Sequence, residues 1–375
     1  MNFLEHIAKA HVLAPAGIAV PRSVLCASAE EARTAFAEIG PCMVKAQVPA
    51  GKRGKAGGIR KADSPEQAAD AAAASLGMEI DGHRVDSVLL EARAEVAREF
   101  YAAIMTDFPA ARPLVLFSAE GGMDIEEVAA AHPGALRRLH VPLSQGLTQA
   151  AADAMLGGLD LGPARAAIAD ALTKLYRAYR DTDAELIEIN PLALLADGSI
   201  AALDCKLIID DASAERQPQL AALAAPENLT ALERRGQAAG LKFIELDGDI
   251  GLLANGAGLT MTTMDVIAHL GGRPANFLEI GGEAYTKAEI ALGLVLAHPR
   301  IKSLVVNFCG AFARTDVMAD GVTAAWQKLK PDIPVFFSIH GTGEDEAVRI
   351  VRDRLGLEPY DLMEDAIQAA IEAAR

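Results

Sequence analysis

The apolar pattern is most regular over residues 186–206, LIEINPLALLADGSIAALDCK, where two alternating hydrophobic runs flank Asp197-Gly198. An Asp-Gly pair between such runs is a strong signal for a β-hairpin. A two-residue loop would pair position 190 with 205. A three-residue loop, Ala196-Asp197-Gly198 with Gly198 left-handed, pairs 190 with 204 and 188 with 206. We favour the three-residue loop, because it gives the hairpin one polar and one apolar face.

In the favoured register the polar side chains of both strands share one face, since strand side chains alternate with a period of two. The polar face holds Glu188, Asn190, Asp204 and Lys206, and the core face holds Ile187, Ile189, Leu203 and Cys205. A carboxylate and a carboxamide side by side can hold Mg²⁺ while nucleotide phosphates and water complete its octahedron. The alternative is a surface hairpin with one ion pair, Glu188 to Lys206.

Beyond residue 240 the pattern changes to a strand, a glycine loop and a helix, repeated three times. The strands are predicted at Asp249–Ala254, Ile301–Asn307 and Ile333–Ile339. Three βα units in sequence predict a parallel sheet with right-handed crossovers. Their helix N-termini would gather at the carboxyl edge of the strands and form an anion site.

The length of 375 residues is about twice that of a typical domain, so two or three domains are expected. Periodicity is lost over residues 212–240, a stretch that contains Pro218 and Pro226. We therefore predict a first domain over 1–225, a linker over 226–240 and a second domain over 241–375.

The segment 50–58, AGKRGKAGG, concentrates three cations and four glycines in an acidic protein. Glycine lets backbone amides approach a ligand closely, and cations beside them would cradle an anion, most simply nucleotide phosphates. The segment lacks the Gly-Lys-Ser/Thr of a Walker motif. A mobile basic hairpin tip is the alternative.

Three charged residues lie in or beside predicted strands close to this segment. Lys45 lies inside the preceding strand among apolar neighbours, so it is expected to be paired. Glu91 ends one predicted strand and Glu99 begins the next. Each glutamate is either an ordinary strand-end charge or a hydrogen-bond partner of a nucleotide's ribose or base.

The charge balance argues against two classes of general partner. With 35 basic and 51 acidic residues the net charge is −16, which argues against nucleic acid or an anionic membrane as a partner.

The four cysteines are scattered without a CxxC pair and are expected to be buried, reduced thiols. No apolar run approaches 18 residues, and the start, MNFLEHIAKAHVLA, is typical of an amphipathic helix. We expect a soluble, cytoplasmic protein.

Five segments together resemble one family along the whole chain. They are VKAQVPAGKRGKAGGI, EGGMDIEEVA, LIEINPL, LDGDIGLLANGAGLTMTTMD and GGRPANFLEIGGEA. They are similar to the β subunit of succinyl-CoA synthetase and its relatives, the nucleoside-diphosphate-forming acyl-CoA ligases that include malate–CoA ligase. The resemblance implies an α/β fold class, with an α+β ATP-grasp domain followed by a flavodoxin-like parallel α/β CoA-ligase domain.

The resemblance also implies roles for individual residues. Lys45, Arg53, Gly54 and Lys55 match nucleotide-phosphate positions, Glu91 and Glu99 match nucleotide-contacting acids, and Asn190 and Asp204 match Mg²⁺ ligands. Glu188 matches the catalytic glutamate that orients a phosphorylated histidine, and Asn255 with Ala311, Phe312 and Ala313 match carboxylic-substrate positions.

The implied reaction needs a second chain. In the family, an acyl-CoA and phosphate form an acyl phosphate, whose phosphoryl group moves to a histidine and then to ADP or GDP. That histidine belongs to a partner α subunit, which also binds most of the coenzyme A, in a heterodimer or an α2β2 assembly. The substrate would be succinate or a related small carboxylic acid such as malate.

The chain departs from the family pattern at six positions. They are Pro49, Lys52, Glu283, Phe312, Ser338 and His340. Four of them, from Glu283 onward, lie in the second domain, on the carboxylate and partner side. A non-catalytic, nucleotide-sensing paralogue of the same fold is therefore the alternative to a working ligase subunit, while the predicted metal pair and Glu188 favour the enzyme.

Overall fold

The computed structural model describes residues 1–123, 125, 134–280 and 287–375. The chain forms two compact units, Met1–Asn228 and Leu229–Arg375. The division falls inside the segment 226–240 that we predict as a linker. This segment also holds a helix, Ala231–Ala238, in which Thr230 and Glu233 form a capping box. None of the described helices combines the length and the apolar character that crossing a bilayer requires.

The strands are β1 (Ser23–Cys26), β2 (Cys42–Ala46), β3 (Ile59–Ala62), β4 (Glu79–Ile80), β5 (His83–Arg84), β6 (Val88–Ala92), β7 (Val96–Asp107), β8 (Arg112–Ser118), β9 (Leu136–His140), β10 (Ala184–Leu195), β11 (Ile200–Ala202), β12 (Lys206–Ile209), β13 (Phe243–Glu245), β14 (Ile250–Ala254), β15 (Asn276–Leu278), β16 (Ser303–Gly310) and β17 (Val335–Gly341). The α-helices are α1 (Glu5–Ala8), α2 (Ala29–Ile39), α3 (Pro65–Ser75), α4 (Gln149–Met155), α5 (Arg165–Asp181), α6 (Pro218–Ala221), α7 (Ala231–Ala238), α8 (Ala257–His269), α9 (Ala288–Leu296), α10 (Thr315–Leu329), α11 (Glu344–Leu355) and α12 (Met363–Ala374).

The N-terminal unit contains two large antiparallel sheets in addition to the two-stranded pair β4-β5. One has the strand order β1-β6-β2-β3, and the other has the order β11-β10-β7-β8-β9, with β12 also paired to β10. Helices α2 and α3 pack against the first sheet, each started by a serine side chain that accepts from a backbone N–H. Helix α5 packs against the second sheet.

Helix α5 shows why this packing follows from the sequence. Its apolar residues Ile168, Leu172, Leu175 and Tyr179 recur at intervals of four, three and four, so they form one stripe, and all four are buried. Burial of each such side chain contributes roughly 1.5–3 kcal/mol. The stripe meets Phe100, Ile104 and Phe117 of the second sheet in one core.

The hairpin has the register that the three-residue loop predicts. Glu188 pairs with Lys206 and Leu194 with Ile200, and Gly198 has a φ of 85° in the loop between Leu195 and Ser199. One assignment is wrong: Leu203 lines a cavity instead of the core. The alternation fails there because β11 ends at Ala202 and β12 begins at Lys206, which leaves residues 203–205 outside the regular strands.

The C-terminal unit contains the predicted parallel sheet. Its order is β14-β16-β17, and both strand pairs are parallel. Each strand is followed by a helix, α8, α10 and α11 in turn, which confirms the three βα units. The loops after the three strands therefore meet at the carboxyl edge of the sheet.

Candidate functional site

One cavity of about 580 Å³ in the N-terminal unit is lined by residues from both sheets. All nine residues predicted there for nucleotide, metal and catalysis contribute to its lining: Lys45, Arg53, Gly54, Lys55, Glu91, Glu99, Glu188, Asn190 and Asp204. They come from positions up to 159 residues apart in the chain (Lys45 to Asp204). The volume is within the usual range of small-ligand pockets.

The basic glycine loop is shaped so that one of its cations turns inward. Gly58 N–H donates to the Arg53 carbonyl over 2.9 Å, and Arg53 Nη1 donates to the Ala46 carbonyl over 2.8 Å. A Cβ on Gly58 would lie 2.7 Å from Ile80 Cδ1 and 3.2 Å from the Arg53 carbonyl oxygen, so a side chain at this position would crowd the turn. As a result Arg53 is buried, whereas Gly54 and Lys55 are exposed at the loop surface.

Lys45 and Arg53 are paired with carboxylates inside the protein. Lys45 Nζ lies 2.6 Å from Glu91 Oε1 and 3.1 Å from Glu5 Oε1. Arg53 Nη2 lies 2.6 Å from both Glu5 Oε2 and Asp204 Oδ1. The expectation that Lys45 would not be left unpaired is thus met, with partners that local sequence did not indicate.

Burial and charge act against each other in this cluster. Burial disfavours the Lys45 ammonium, but Glu5, Glu91 and Asp204 outweigh it and raise the pKa of Lys45 above its ordinary value. Burial raises the pKa of Glu91, although Lys45 and Lys9 oppose the rise. Lys45 is therefore positively charged at neutral pH, which is the state that a phosphate group requires.

Glu188 and Asn190 lie on the hairpin wall of the cavity. Tyr101 donates its hydroxyl to Glu188 Oε2 over 3.2 Å. Asn190 Oδ1 accepts from Gly122 N–H over 2.8 Å, and Asn190 Nδ2 donates to the Met123 carbonyl over 2.9 Å. Asn190 thereby holds the glycine loop that precedes Asp124, Glu126 and Glu127, an acidic stretch outside the described residues.

The oxygen ligands in the cavity fit a magnesium ion that arrives with a nucleotide. Asn190 Oδ1 and the Asp204 carboxylate are hard oxygen donors in the same cavity. Within the described ranges, no group of three or more His, Cys, Asp and Glu side chains could hold a metal ion. Mg²⁺ is commonly bound by one or two protein oxygens plus substrate phosphates and water, which is the arrangement that two donors allow.

The residues predicted to bind the carboxylic substrate lie together in the C-terminal unit. Asn255 Nδ2 donates to the Cys309 carbonyl over 2.9 Å, and Cys309 N–H donates to Asn255 Oδ1 over 2.8 Å. Cys309 is exposed, so the expectation of four buried cysteines is wrong at this position. The loop Ala311-Phe312-Ala313 follows β16 directly, and the Phe312 side chain is fully exposed. All four predicted substrate positions are therefore at the carboxyl edge of the parallel sheet.

The residues of this unit that depart from the family pattern differ in their burial and contacts. Ser338 is buried, and its hydroxyl has no hydrogen-bond partner among the described residues. His340 is partly exposed, with Nδ1 3.6 Å from Glu344 Oε1. Glu283 lies outside the described residues.

Two residues of the buried charge cluster were missed by sequence reasoning. Glu5 and Lys9 are each 2% exposed. Their spacing of four on an amphipathic helix is the usual signature of a solvent-exposed pair. The one available signal was that a helix at the start of the chain carries an acid and a base on the same side.

Comparison with known proteins defines the class of the chain. A family model for an ATP-grasp domain matches residues 2–194, and a model for a CoA-ligase domain matches residues 253–370. The protein is thus an ATP-grasp ligase of the CoA-ligase class. It belongs to the family of succinate–CoA ligase β subunits, which confirms the resemblance and the fold class.

Individual relatives cover essentially the whole chain. The sequence is 41% identical to the ADP-forming succinate–CoA ligase β subunit of Rubrobacter xylanophilus, over 100% of this chain and 99% of that one. It is 39% identical to the GDP-forming β subunit of Thermus thermophilus, over 99% and 97%. ATP citrate lyase from Methanothrix soehngenii has the same fold, with a TM-score of 0.77, 24% identity and 99% coverage of both chains.

Proposed function

We propose that the chain is the nucleotide-binding β subunit of an ADP- or GDP-forming acyl-CoA ligase that works with a partner α subunit. The observation that supports this most strongly is the convergence of nine predicted residues on one cavity that contains the buried cations Lys45 and Arg53. The relatives named above are ADP- and GDP-forming ligases. The cytoplasmic location stays a prediction.

Each side chain has a defined task in this proposal. Lys45, Arg53 and Lys55 would neutralise the phosphates, because phosphoryl transfer depends on positioning and charge neutralisation more than on covalent groups of the protein. Asn190 and Asp204 would hold Mg²⁺, which when bound supplies further positive charge to the phosphates. Glu91 and Glu99 would contact the nucleoside.

Glu188 would act on the histidine of the partner. A carboxylate that accepts a hydrogen bond from one imidazole nitrogen determines which nitrogen is free to carry the phosphoryl group. The Tyr101 hydroxyl on Glu188 Oε2 holds that carboxylate in place. Glu188 is therefore assigned an orienting role without itself being phosphorylated.

The carboxylic substrate would bind at Asn255 and the loop 311–313, with coenzyme A mainly on the partner. The acid is a small carboxylic acid, either succinate or a related one such as malate. The exposed ring of Phe312 in the substrate loop favours an acid other than succinate. The same altered loop is the observation that favours the second candidate, a regulatory paralogue that binds nucleotide without turnover.

One coexpression experiment tests the proposal. The chain is produced with its α subunit, and a panel of carboxylic acids is screened for CoA-dependent consumption of ATP and GTP, with Lys45→Met as the inactive control. Turnover with any acid that the control lacks supports the ligase. Nucleotide binding without turnover supports the regulatory candidate, and absence of nucleotide binding contradicts both.

A further inference from the structure

The buried charge cluster has a central carboxylate that sequence reasoning missed. Glu5 Oε1 lies 2.5 Å from Lys9 Nζ and 3.1 Å from Lys45 Nζ, and Glu5 Oε2 lies 2.6 Å from Arg53 Nη2. One carboxylate therefore contacts three cations. Two of these, Lys45 and Arg53, are the buried cations of the nucleotide cavity.

The backbone that carries Glu5 is attached to both sheets of the unit. Phe3 N–H donates to the Leu207 carbonyl of β12, and His6 N–H donates to Gln47 Oε1, one residue beyond β2. The start of α1 thus spans the two walls of the cavity. Glu5 is held in a fixed place relative to Lys45 on one wall and Asp204 on the other.

Charge in the cluster is balanced by Lys9. Lys9 Nζ bonds Glu5, Glu91 and the Leu203 carbonyl, and it is almost completely buried. Three cations, Lys9, Lys45 and Arg53, face three carboxylates, Glu5, Glu91 and Asp204. Such a cluster is costly to bury, since hydrophobic residues of similar volume would often stabilise a fold at least as well.

The pKa of Glu5 fits a permanently charged anchor. Burial on its own would raise the pKa of Glu5, but Lys45, Arg53 and Lys9 together hold it well below the ordinary value. Glu5 is therefore an anion throughout the neutral range. Glu5 is not among the residues that line the 580 Å³ cavity; with Arg53 and Asp204 it lines a smaller cavity of about 100 Å³.

We propose that Glu5 is a positioning residue for the nucleotide phosphates, which it serves by fixing Lys45 and Arg53, and that Lys9 is its counter-ion. This inference rests on the proposed nucleotide site. If a phosphate group displaces Asp204 and Glu91 from the two cations, Glu5 is the carboxylate that keeps Lys45 and Arg53 in place. Glu5 would then act through Lys45 and Arg53 without touching the nucleotide.

The first test measures nucleotide affinity in Glu5→Gln. The amide keeps the shape of the side chain but loses its charge, so Lys45 and Arg53 lose their shared anchor. The affinity of the full chain, with its α subunit, for ADP and for GDP in the presence of Mg²⁺ is expected to fall roughly 10- to 100-fold by calorimetry. Glu30→Gln is the matched control, because Glu30 forms an exposed pair with Arg33 on α2, and it should bind as the wild type does.

A double variant separates positioning from charge balance. Glu5→Gln/Lys9→Met removes one anion and one cation together, so the remaining cluster is again neutral. Positioning by Glu5 predicts that the double variant regains thermal stability over the single variant while its affinity stays weakened. Wild-type affinity in the double variant would overturn the inference, since Glu5 would then serve only to balance charge.

The two proposals fail in different ways. If the wild-type complex binds neither ADP nor GDP, the proposed function is wrong and this inference is lost with it. If the wild type binds and Lys45→Met does not, the nucleotide site stands. Unchanged affinity in both Glu5 variants would then overturn the role of Glu5 alone.

Discussion

Arg53 and Asp204 are joined by a 2.6 Å ion pair between Nη2 and Oδ1. The residue proposed to bind phosphate and the residue proposed to bind magnesium therefore neutralise each other. Asp204 Oδ1 also accepts from the Cys205 N–H over 2.7 Å. A nucleotide phosphate would take the place of Asp204 beside Arg53, and Mg²⁺ would take the place of Arg53 beside Asp204. We therefore expect metal and nucleotide to bind together more tightly than either binds alone.

Asp204→Ala is expected to abolish the magnesium dependence of nucleotide binding. The variant removes one of the two protein oxygens proposed to hold the ion, and a single remaining carboxamide is a weak site for Mg²⁺. Calorimetric titration with ADP, with and without Mg²⁺, measures the effect. Asp170→Ala is the control, since Asp170 pairs with Lys174 within α5, away from the cavity. Magnesium-dependent binding that is unchanged in Asp204→Ala would rule the assignment out.

Gly58→Ala is expected to weaken both the fold and nucleotide binding. The added methyl group would meet Ile80 Cδ1 at 2.7 Å and Ala46 Cβ at 3.1 Å, at the turn that directs Arg53 inward. Overpacking of this kind costs about 1–3 kcal/mol, which urea unfolding would detect. Gly51→Ala in the same loop has open space around the new Cβ and should unfold like the wild type. Equal stability of the two variants would contradict this account of the turn.

Phe312→Val is expected to improve the use of succinate. The Phe312 ring is fully exposed in the loop proposed to bind the acid, so its removal changes the site without opening a core cavity. The kcat/KM for succinate, compared with that for larger carboxylic acids, measures the change in the complex with the α subunit. Phe108→Val, at an exposed position in the other unit, is the control. Efficient succinate turnover by the wild type would refute the specificity assigned to Phe312.

Glu5 should also produce a measurable pH dependence of stability. Its folded-state pKa is held well below 4.5, despite burial, by Lys45, Arg53 and Lys9. The stabilising contribution of the carboxylate is therefore complete above pH 4.5 and is lost as the pH falls through the lowered pKa. Glu91, whose pKa is raised mainly by burial, acts in the opposite direction.

The wild type should therefore be more stable than Glu5→Gln at pH 7, by about 3–5 kcal/mol if the cluster behaves like other buried pairs that lose one partner. This difference should shrink below pH 4.5, because protonated Glu5 resembles glutamine. Urea unfolding at several pH values between 3 and 7 measures the difference. A difference that stays constant across this range would show that the charge of Glu5 does not stabilise the fold.

The local sequence was sufficient to predict the hairpin register and the three βα units. The register of the hairpin followed from Asp197-Gly198 and the alternation around it, and the pairing of Glu188 with Lys206 confirmed it. The three βα units followed from strand, glycine and helix signals in order. The roles of Asn255 and the loop 311–313 were implied by family resemblance, and they stay predictions.

The buried charge cluster was decided by tertiary structure alone. Glu5 and Lys9 carry the spacing of an exposed helical pair, and local sequence does not contain the position of Lys45, Arg53 and Asp204 around them. Leu203 likewise left its predicted face where the regular strand stopped. The sequence by itself determined the hairpin, the three βα units and the cations of the glycine loop, because these depend on neighbours along the chain. Only the tertiary structure decided which carboxylates pair with the buried cations, because these partners come from distant segments of the chain; Arg53 and Asp204 are 151 residues apart.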